Sequence, residues 1–401
     1  MDYIQSHEKV WSGPQTQGVK RSALQDMLVE ASRPDVLSFA LGLPAAELFP
    51  ITAYSQAIAQ ALSADQRAMQ YGPPYQPLKE RIVQLMAWRG VKCKAEEVFL
   101  TSGAQQGLSL LTQLLLKPGG QAVTEELTYT GFQQVLEPYR PRVLAVPTDL
   151  ETGMEVDAVQ RLIRNGERPA FIYTVTNGHN PLAVSLSSAK RSQLVELAEQ
   201  YGIPIIEDDP YGFLSYEDTP PPLRALNDKW VYYVGSFSKI LAPALRVGWI
   251  IAPESMCSAL SNIKEASDIN TSTLNQRAIT AFIDAGHLET HLPMLRREYG
   301  LRRDAMHNAL DRHFPRGTRW RKPISGVFIW VELPEEIDAE LALKTALETE
   351  RIAFIPGKAF CVKNHQRSSH CMRLNFSNSS VEPIEDGVAR LARLLRKMLK
   401  G

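Results

Sequence analysis

The chain has 401 residues, room for one enzyme-sized subunit of two lobes, since single cores stop growing near ~250–300 residues. Lys plus Arg total 44 and Asp plus Glu total 44, a balance that lacks the electrostatic footprint of a nucleic-acid or anionic-membrane binder. Apolar residues make up 44%, an ordinary globular share, and the longest apolar stretch, Leu108 to Leu116, is interrupted by Ser109, Thr112 and Gln113 and falls short of a bilayer span.

The polar leader MDYIQSHEKVWSG shows no basic-then-apolar signal pattern, which points to the cytoplasm. A short helix and the Gly- and Pro-broken stretch LSFALGLPAAELFP follow, an arm expected to cross back onto the C-terminal part. From about residue 98 to 252, β-branched runs alternate with amphipathic segments: VFLTSG, the helix QQGLSLLTQLLL, QAVTEEL, RVLAVPTD, FIYTVTN, the helix SSAKRSQLVELAEQYG, IPIIEDD, VYYVGSFS and RVGWIIA. Buried parallel strands linked by helical crossovers read this way, so a doubly wound α/β domain is expected, with its ligands at the strands' carboxyl ends. From about residue 290, a charged helix (MLRREYGLRRDAMHNALDRHF), GVFIWVEL, the helix ELALKTALETE, the strands IAFIPG and CMRLNFS and a basic helix make a smaller α/β unit. The expected division is a helix and arm over 1–45, a large domain over 46–289 and a small domain over 290–401. Cys93, Cys257, Cys361 and Cys371 have no CxxC spacing and read as free thiols.

Chemistry concentrates at strand ends. Lys239, in Ser236-Phe-Ser238-Lys239, follows VYYVG directly. A lysine held there, partly dehydrated, suits Schiff-base chemistry, whereas a lone Ser-Lys pair is more often a solvated loop. Arg246 lies seven residues on and is expected to begin the next strand; with the two hydroxyls it makes a dianion pocket. Ser102, Gly103, Ala104 and Gln105 open a helix after VFLT, and their N–H groups would cradle a phosphate, although Ser-Gly before a helix is often a plain cap. In IIEDDPYG, Asp208 would pair with a pyridinium nitrogen and Tyr211 would donate to the ring's phenolate oxygen, with Asn180 as a second donor and Tyr129 stacked on the ring face.

These pieces belong to a longer series: RPDVLSFALGLPAAELFP, QYGPPYQPLKERI, TSGAQQGL, Asn180-Pro181, EDDPYG, SFSKILAPALRVGW, SGVFIWVELP, AFIPGKAF and MRLNFS. Over nearly the whole chain they resemble fold-type I pyridoxal-phosphate enzymes of the class I/II aminotransferase family, most closely the branch of 2-aminoadipate and kynurenine aminotransferases. The resemblance implies the type I PLP-dependent transferase fold: a large domain with a mainly parallel seven-stranded sheet between helices, and a smaller α/β C-terminal domain joined by the N-terminal arm. It implies that Lys239 carries pyridoxal 5'-phosphate and moves the proton, with Asp208 and Tyr211 beside it in the catalytic set. Ser102, Gly103, Ala104, Gln105, Ser236, Ser238 and Arg246 would surround the phosphate. Tyr71 would reach the neighbouring subunit's cofactor in a homodimer, Arg373 would grip the substrate α-carboxylate, and Gly42 and Asn180 would line the substrate pocket. The implied reaction is ping-pong transfer of an amino group from an L-amino acid to a 2-oxo acid.

Departures refine the expectation. The turn after Asn180-Pro181 reads Leu182-Ala183 where the family has Thr-Gly, and His179 precedes it, more simply a packing residue than an acid or base. Leu41 replaces a glycine, so the pocket roof should be bulkier. Gln25 stands where relatives that accept acidic side chains carry arginine, which favours neutral or polar substrates over dicarboxylic ones. No metal is expected: His287 and His291 read as a solvated helix end, His365 and His370 with Cys371 lack ligand spacing, and Arg296, Arg297, Arg302 and Arg303 read as a charged outer face. The same site would support elimination, racemisation, decarboxylation or oxidation, and the fold also serves as a ligand-sensing half of some transcription regulators.

Overall fold

The computed structural model describes residues 33–362 and 368–400. Seven strands form the main sheet: β1 (Val98–Thr101), β2 (Gln121–Glu125), β3 (Arg142–Val146), β4 (Ile172–Val175), β5 (Ile205–Asp208), β6 (Val231–Ser236) and β7 (Gly248–Ile251). Their order is β1-β7-β6-β5-β4-β2-β3, and β7 alone runs antiparallel, to both its neighbours. Every residue of β1, β4, β5, β6 and β7 is buried, which is why these strands read as continuous apolar runs rather than alternating ones. The crossover helix Ser188–Tyr201 starts at Ser187, whose hydroxyl accepts from the Lys190 N–H, and stops at left-handed Gly202.

The reversed strand matters for the site. The parallel strands end at one edge of the sheet, and β7 begins at that same edge. Arg246 is therefore delivered beside Ser236 and Asp208. It does not begin β7, as expected from the sequence, but sits two residues ahead in a left-handed turn at φ 51°. There its side chain is free to turn back along the edge.

A second, antiparallel sheet holds β8 (Arg319–Trp320), β9 (Phe328–Glu332), β10 (Ile355–Pro356) and β11 (Cys371–Asn375) in the order β8-β9-β11-β10. The arm joins this lobe. Leu37–Ser38 pairs in parallel with Ile352–Ala353, and the Phe39 carbonyl accepts from the Asn375 N–H at 2.8 Å. We propose that the two lobes divide near residue 289, inside the first turn of the helix His287–His313. That helix and the arm also knit them together, since one buried cluster holds Phe39, Ile82, Leu292, Ile329 and Leu391.

Two expectations for this helix are corrected. Arg302 and Arg303 are buried, not outward: Arg302 donates to the Ser377 carbonyl at 2.7 Å and pairs with Glu47, while Arg303 donates to the Pro323 carbonyl and lies over the Tyr216 ring. The helix passes between lobes, so a face that charge patterning assigned to water meets backbone carbonyls instead. His291 is likewise buried, edge-on to Phe282, and burial pushes its imidazole down to about 4.

Arg191 shows how the loop after β4 is fixed. Its guanidinium is buried and donates to the carbonyls of Leu186, Pro221 and Thr176 and to Asn177 Oδ1, all within 2.9 Å. Arg191→Met strands those acceptors and should destabilise the protein by about 3 kcal/mol, read as a lower urea midpoint.

Candidate active site

Three consecutive acids end β5 and extend past it, and all are buried. Side chains on a strand alternate between faces. Ile205 packs with Leu223 on one face, whereas Ile206 packs with Tyr173 and Phe132 on the other. Glu207 therefore points with Ile205, where it accepts from the N–H groups of Leu223 and Arg224 and from the Thr176 hydroxyl. Asp209 accepts from Arg89, Asn177 and Tyr233. Both are spent on structure.

Asp208 is different. Its Oδ2 accepts from the Tyr173 hydroxyl at 2.9 Å, while Oδ1 is buried with no hydrogen-bond partner, and the residue lines a cavity. Burial pushes this carboxyl up to about 7 against the opposing pull of the Tyr173 bond, with Asp209 adding to the rise. A cation at Oδ1 would reverse that rise.

The cavity, about 330 Å³, opens between the two sheets. Lys239 enters it from the turn after β6, its Nζ donating to the Gly42 carbonyl. Burial lowers its ammonium to about 8, helped by repulsion from Arg373 and Arg246. A Cβ at Gly42 would lie 2.6 Å from Cζ of the buried Phe328, so a larger residue there has to displace that ring. Tyr129, Tyr211 and Asn180 line the same space, and burial raises both phenols above their ordinary range. Arg373 comes from β11, an interior strand between β9 and β10 rather than an edge, so its charge cannot turn to water. Its Nη1 donates to Asn180 Oδ1 and its Nη2 to the Ala40 carbonyl, both at 2.6 Å, and Nε has no partner. The guanidinium lies 4.0 Å from the Phe328 ring centre and 4.8 Å from that of Phe360. Burial lowers it to about 10.

At the other end of the cavity stand Ala104, Gln105, Ser236, Ser238 and Arg246. The Ser238 N–H and the Ser236 hydroxyl meet at 3.0 Å. Gly103 takes φ +91°, and a Cβ there would sit 2.5 Å from Arg246 Nη2, so only glycine lets the arginine cross the turn. The Ser102 N–H, expected among the cradle's donors, is spent instead on Gln106 Oε1 at 2.7 Å, and the Ser102 hydroxyl donates to Asp268 Oδ2 at 2.6 Å.

The remaining sequence-derived positions divide. Leu41 and Gly42 form part of the cavity wall. Tyr71 is 73% exposed and this chain does not bring it to the cavity. His179 is buried behind Asn180, its Nδ1 accepting from the Leu182 N–H at 3.4 Å and its Nε2 lying 3.2 Å from Glu125 Oε2 but out of hydrogen-bond alignment. Gln25 and His365 lie outside the described residues. Among the described residues no group of His, Cys, Asp and Glu could hold a metal, and no helix is long and apolar enough to cross a membrane. Sequence reading missed Tyr173, Phe328 and Phe360. The signal for Tyr173 was its place in FIYTVTN, two residues before the Val175 that pairs with Asp208, hence on Asp208's face.

A lysine, a half-paired buried carboxylate, an anion cradle and a buried arginine fork thus share one cavity. Residues 34–391 match the family model for aminotransferases of class I and II. The chain belongs to that family. An aromatic-amino-acid aminotransferase of Thermococcus litoralis is 36% identical to this class I/II chain over 393 residues, covering 96% of it and 93% of that protein. The kynurenine aminotransferase structure of Pyrococcus horikoshii superposes with TM-score 0.93 at 33% identity, covering 99% of this chain and 100% of that one. The α-aminoadipate aminotransferase of Thermus thermophilus, solved with N-(5'-phosphopyridoxyl)-L-leucine, gives 0.89 at 32% identity with both chains fully covered. The protein is a pyridoxal-phosphate-dependent aminotransferase of the fold-type I class, acting on amino acids and 2-oxo acids.

The residues present fit that cofactor. Asp208 Oδ1 is an orphaned acceptor suited to a ring N–H, and the Gly103–Arg246 crossing with the Ser236 and Ser238 hydroxyls suits a phosphate dianion. Tyr173→Phe keeps the ring stacked on Phe132 at 3.6 Å but removes the donor that holds Asp208. It should weaken uptake of pyridoxal phosphate by the apoprotein about tenfold, the worth of one hydrogen bond to a charged group. Asp208→Asn should remove that effect, so fluorescence titration of both single variants and the double variant checks it.

Proposed function

We propose that this aminotransferase moves the amino group of a neutral or polar L-amino acid to a 2-oxo acid in a ping-pong cycle, as a cytoplasmic homodimer. The observation that carries the substrate class is the cavity's charge inventory. Among the described residues its only cations are Lys239, Arg246 and Arg373, and each already has a task. Leu41, Leu108, Phe328, Ile355 and Phe360 supply apolar wall. A distal carboxylate would lie against them without a counter-charge, at a desolvation cost of several kcal/mol, on the order of that for any unpaired buried ion.

Bound pyridoxal phosphate supplies an electron-poor ring that takes up the electron pair of a broken Cα–H bond. Arg373 binds the substrate α-carboxylate. Its fork is held by Asn180 and Ala40 with Nε left over, and a lysine would lose that fixed geometry. Asn180 Oδ1 is taken by Arg373, which leaves Nδ2 to donate, beside Tyr211, to the ring oxygen. Asp208 Oδ1 holds the proton on the ring nitrogen, and Tyr129 covers the ring face. Lys239 Nζ would hold the cofactor's aldehyde carbon and, when free, would take the proton from the substrate Cα. An amine lowered to about 8 is partly neutral at physiological pH and so has a lone pair ready. Arg246, Ser236, Ser238 and the N–H groups of Gly103, Ala104 and Gln105 hold the phosphate. Tyr71 serves the partner's site, which suits its exposure here.

Steady-state assay of 2-oxo acid formation from methionine, leucine and phenylalanine against glutamate and 2-aminoadipate tests the reading. Parallel double-reciprocal lines and kcat/KM favouring the neutral donors are expected, with no turnover by Lys239→Ala. A preference for the acids of about a hundredfold, some 2.7 kcal/mol of transition-state binding, would refute the substrate class.

A further inference from the structure

The turn ahead of the helix Ala104–Leu115 is braced from behind by groups that the reaction does not use. Asp268, the last residue of the helix Glu254–Asp268, accepts at Oδ2 from the Ser102 hydroxyl at 2.6 Å and from Gln106 Nε2 at 2.7 Å. Its Oδ1 accepts from Lys264 Nζ at 2.6 Å. Gln106 Oε1 in turn accepts from the Ser102 N–H at 2.7 Å and from Lys264 Nζ at 3.0 Å. On the cavity side, the Ser102 carbonyl accepts from Arg246 Nη2 at 3.1 Å. All three polar groups of Ser102 are therefore engaged: N–H and hydroxyl to the brace, carbonyl to the arginine.

An aspartate at a helix C-terminus sits at the negative end of the dipole, and here it also stands behind an anion site. Both placements are unfavourable by themselves. Lys264, one helical turn earlier, offsets them; burial raises the Asp268 carboxyl, but the bonds from Lys264, Ser102 and Gln106 outweigh it and hold the group below the usual range. A charge kept in so unfavourable a place, with two of its three bonds going to Ser102 and Gln106, acts on that turn.

We propose that Asp268, neutralised by Lys264, is a positioning residue for the phosphate cradle. It fixes Ser102 so that the serine's hydroxyl stays out of the cavity, the following N–H groups stay in it, and Arg246 is docked across Gly103. The inference rests on the reading of Gly103, Ala104, Gln105 and Arg246 as the phosphate cradle. Asp268 touches neither cofactor nor substrate, so its effect must pass through the phosphate.

The test compares apoprotein affinities for pyridoxal phosphate and for pyridoxal, the same aldehyde without phosphate, by fluorescence titration. Asp268→Ala is expected to weaken binding of the phosphate ester about tenfold while changing pyridoxal binding less than about twofold, since one charge-assisted anchor is lost. Asp268→Asn, which can still accept from Ser102, should fall between. Ser102→Ala keeps the Asp268–Lys264 pair, so it reports on the same link should Asp268→Ala fail to fold, with about a threefold loss confined to the phosphate ester. Equal weakening of both ligands, or no weakening of either, would overturn the proposal while leaving the cofactor assignment intact. Failure of the wild-type apoprotein to take up either ligand would instead overturn the cradle on which the proposal stands.

Discussion

The site depends on one half-satisfied carboxylate. Asp208 is buried, donates nothing, and has a partner for only one of its oxygens. An ionised carboxylate in that state is costly unless a cation meets the free oxygen. A protonated pyridine ring would meet that need, and so paired would serve as the electron acceptor for Cα–H cleavage. The Tyr173 bond keeps the carboxylate oriented while it waits for its partner. Tyr129, Tyr211, Lys239 and Arg246 line the same cavity and would set where such a ring lies.

Two architectural decisions make this possible. Reversal of β7 brings Arg246 to the edge where the parallel strands end, so that the anion cradle and Asp208 share a boundary. Parallel pairing of the arm with Ile352–Ala353 draws Ala40 and Gly42 over Lys239 and Arg373. The end of the cavity around Arg373 is thus built from both lobes and the arm, and the end around Arg246 from the large lobe alone. Arg373 bridges them through Asn180, the residue whose loop Arg191 anchors from below.

Much of this was legible in the sequence, for a physical reason. Parallel strands are buried on both faces, so they announce themselves as apolar runs, and functional groups sit just past their ends. Lys239 after VYYVG and Asp208 after IPII were readable in that way. What occupies the two acidic neighbours of Asp208 was not, because the partners of Glu207 (Leu223, Arg224 and Thr176) and of Asp209 (Arg89, Asn177 and Tyr233) are brought to them only by the fold. The brace on Ser102 comes from Asp268, 166 residues away, and no local pattern marks such a pairing. The same limit explains the buried arginines of the long helix. Charge patterning assigns Arg302 and Arg303 to water, yet the tertiary fold turns them onto Ser377, Pro323 and the Tyr216 ring. Arg373 was named by resemblance alone, since its interior strand and its two aromatic neighbours arise only when the second sheet forms.

The central claim is that the free oxygen of Asp208 keeps the ring nitrogen protonated. Nitrogen-15 NMR of the holoenzyme, loaded with ring-labelled pyridoxal phosphate, reads that proton directly. A protonated nitrogen in the wild-type protein at neutral pH, and an unprotonated one in Asp208→Asn, is the predicted result. A bare nitrogen in the wild type, or protonation that survives the substitution, would contradict the account.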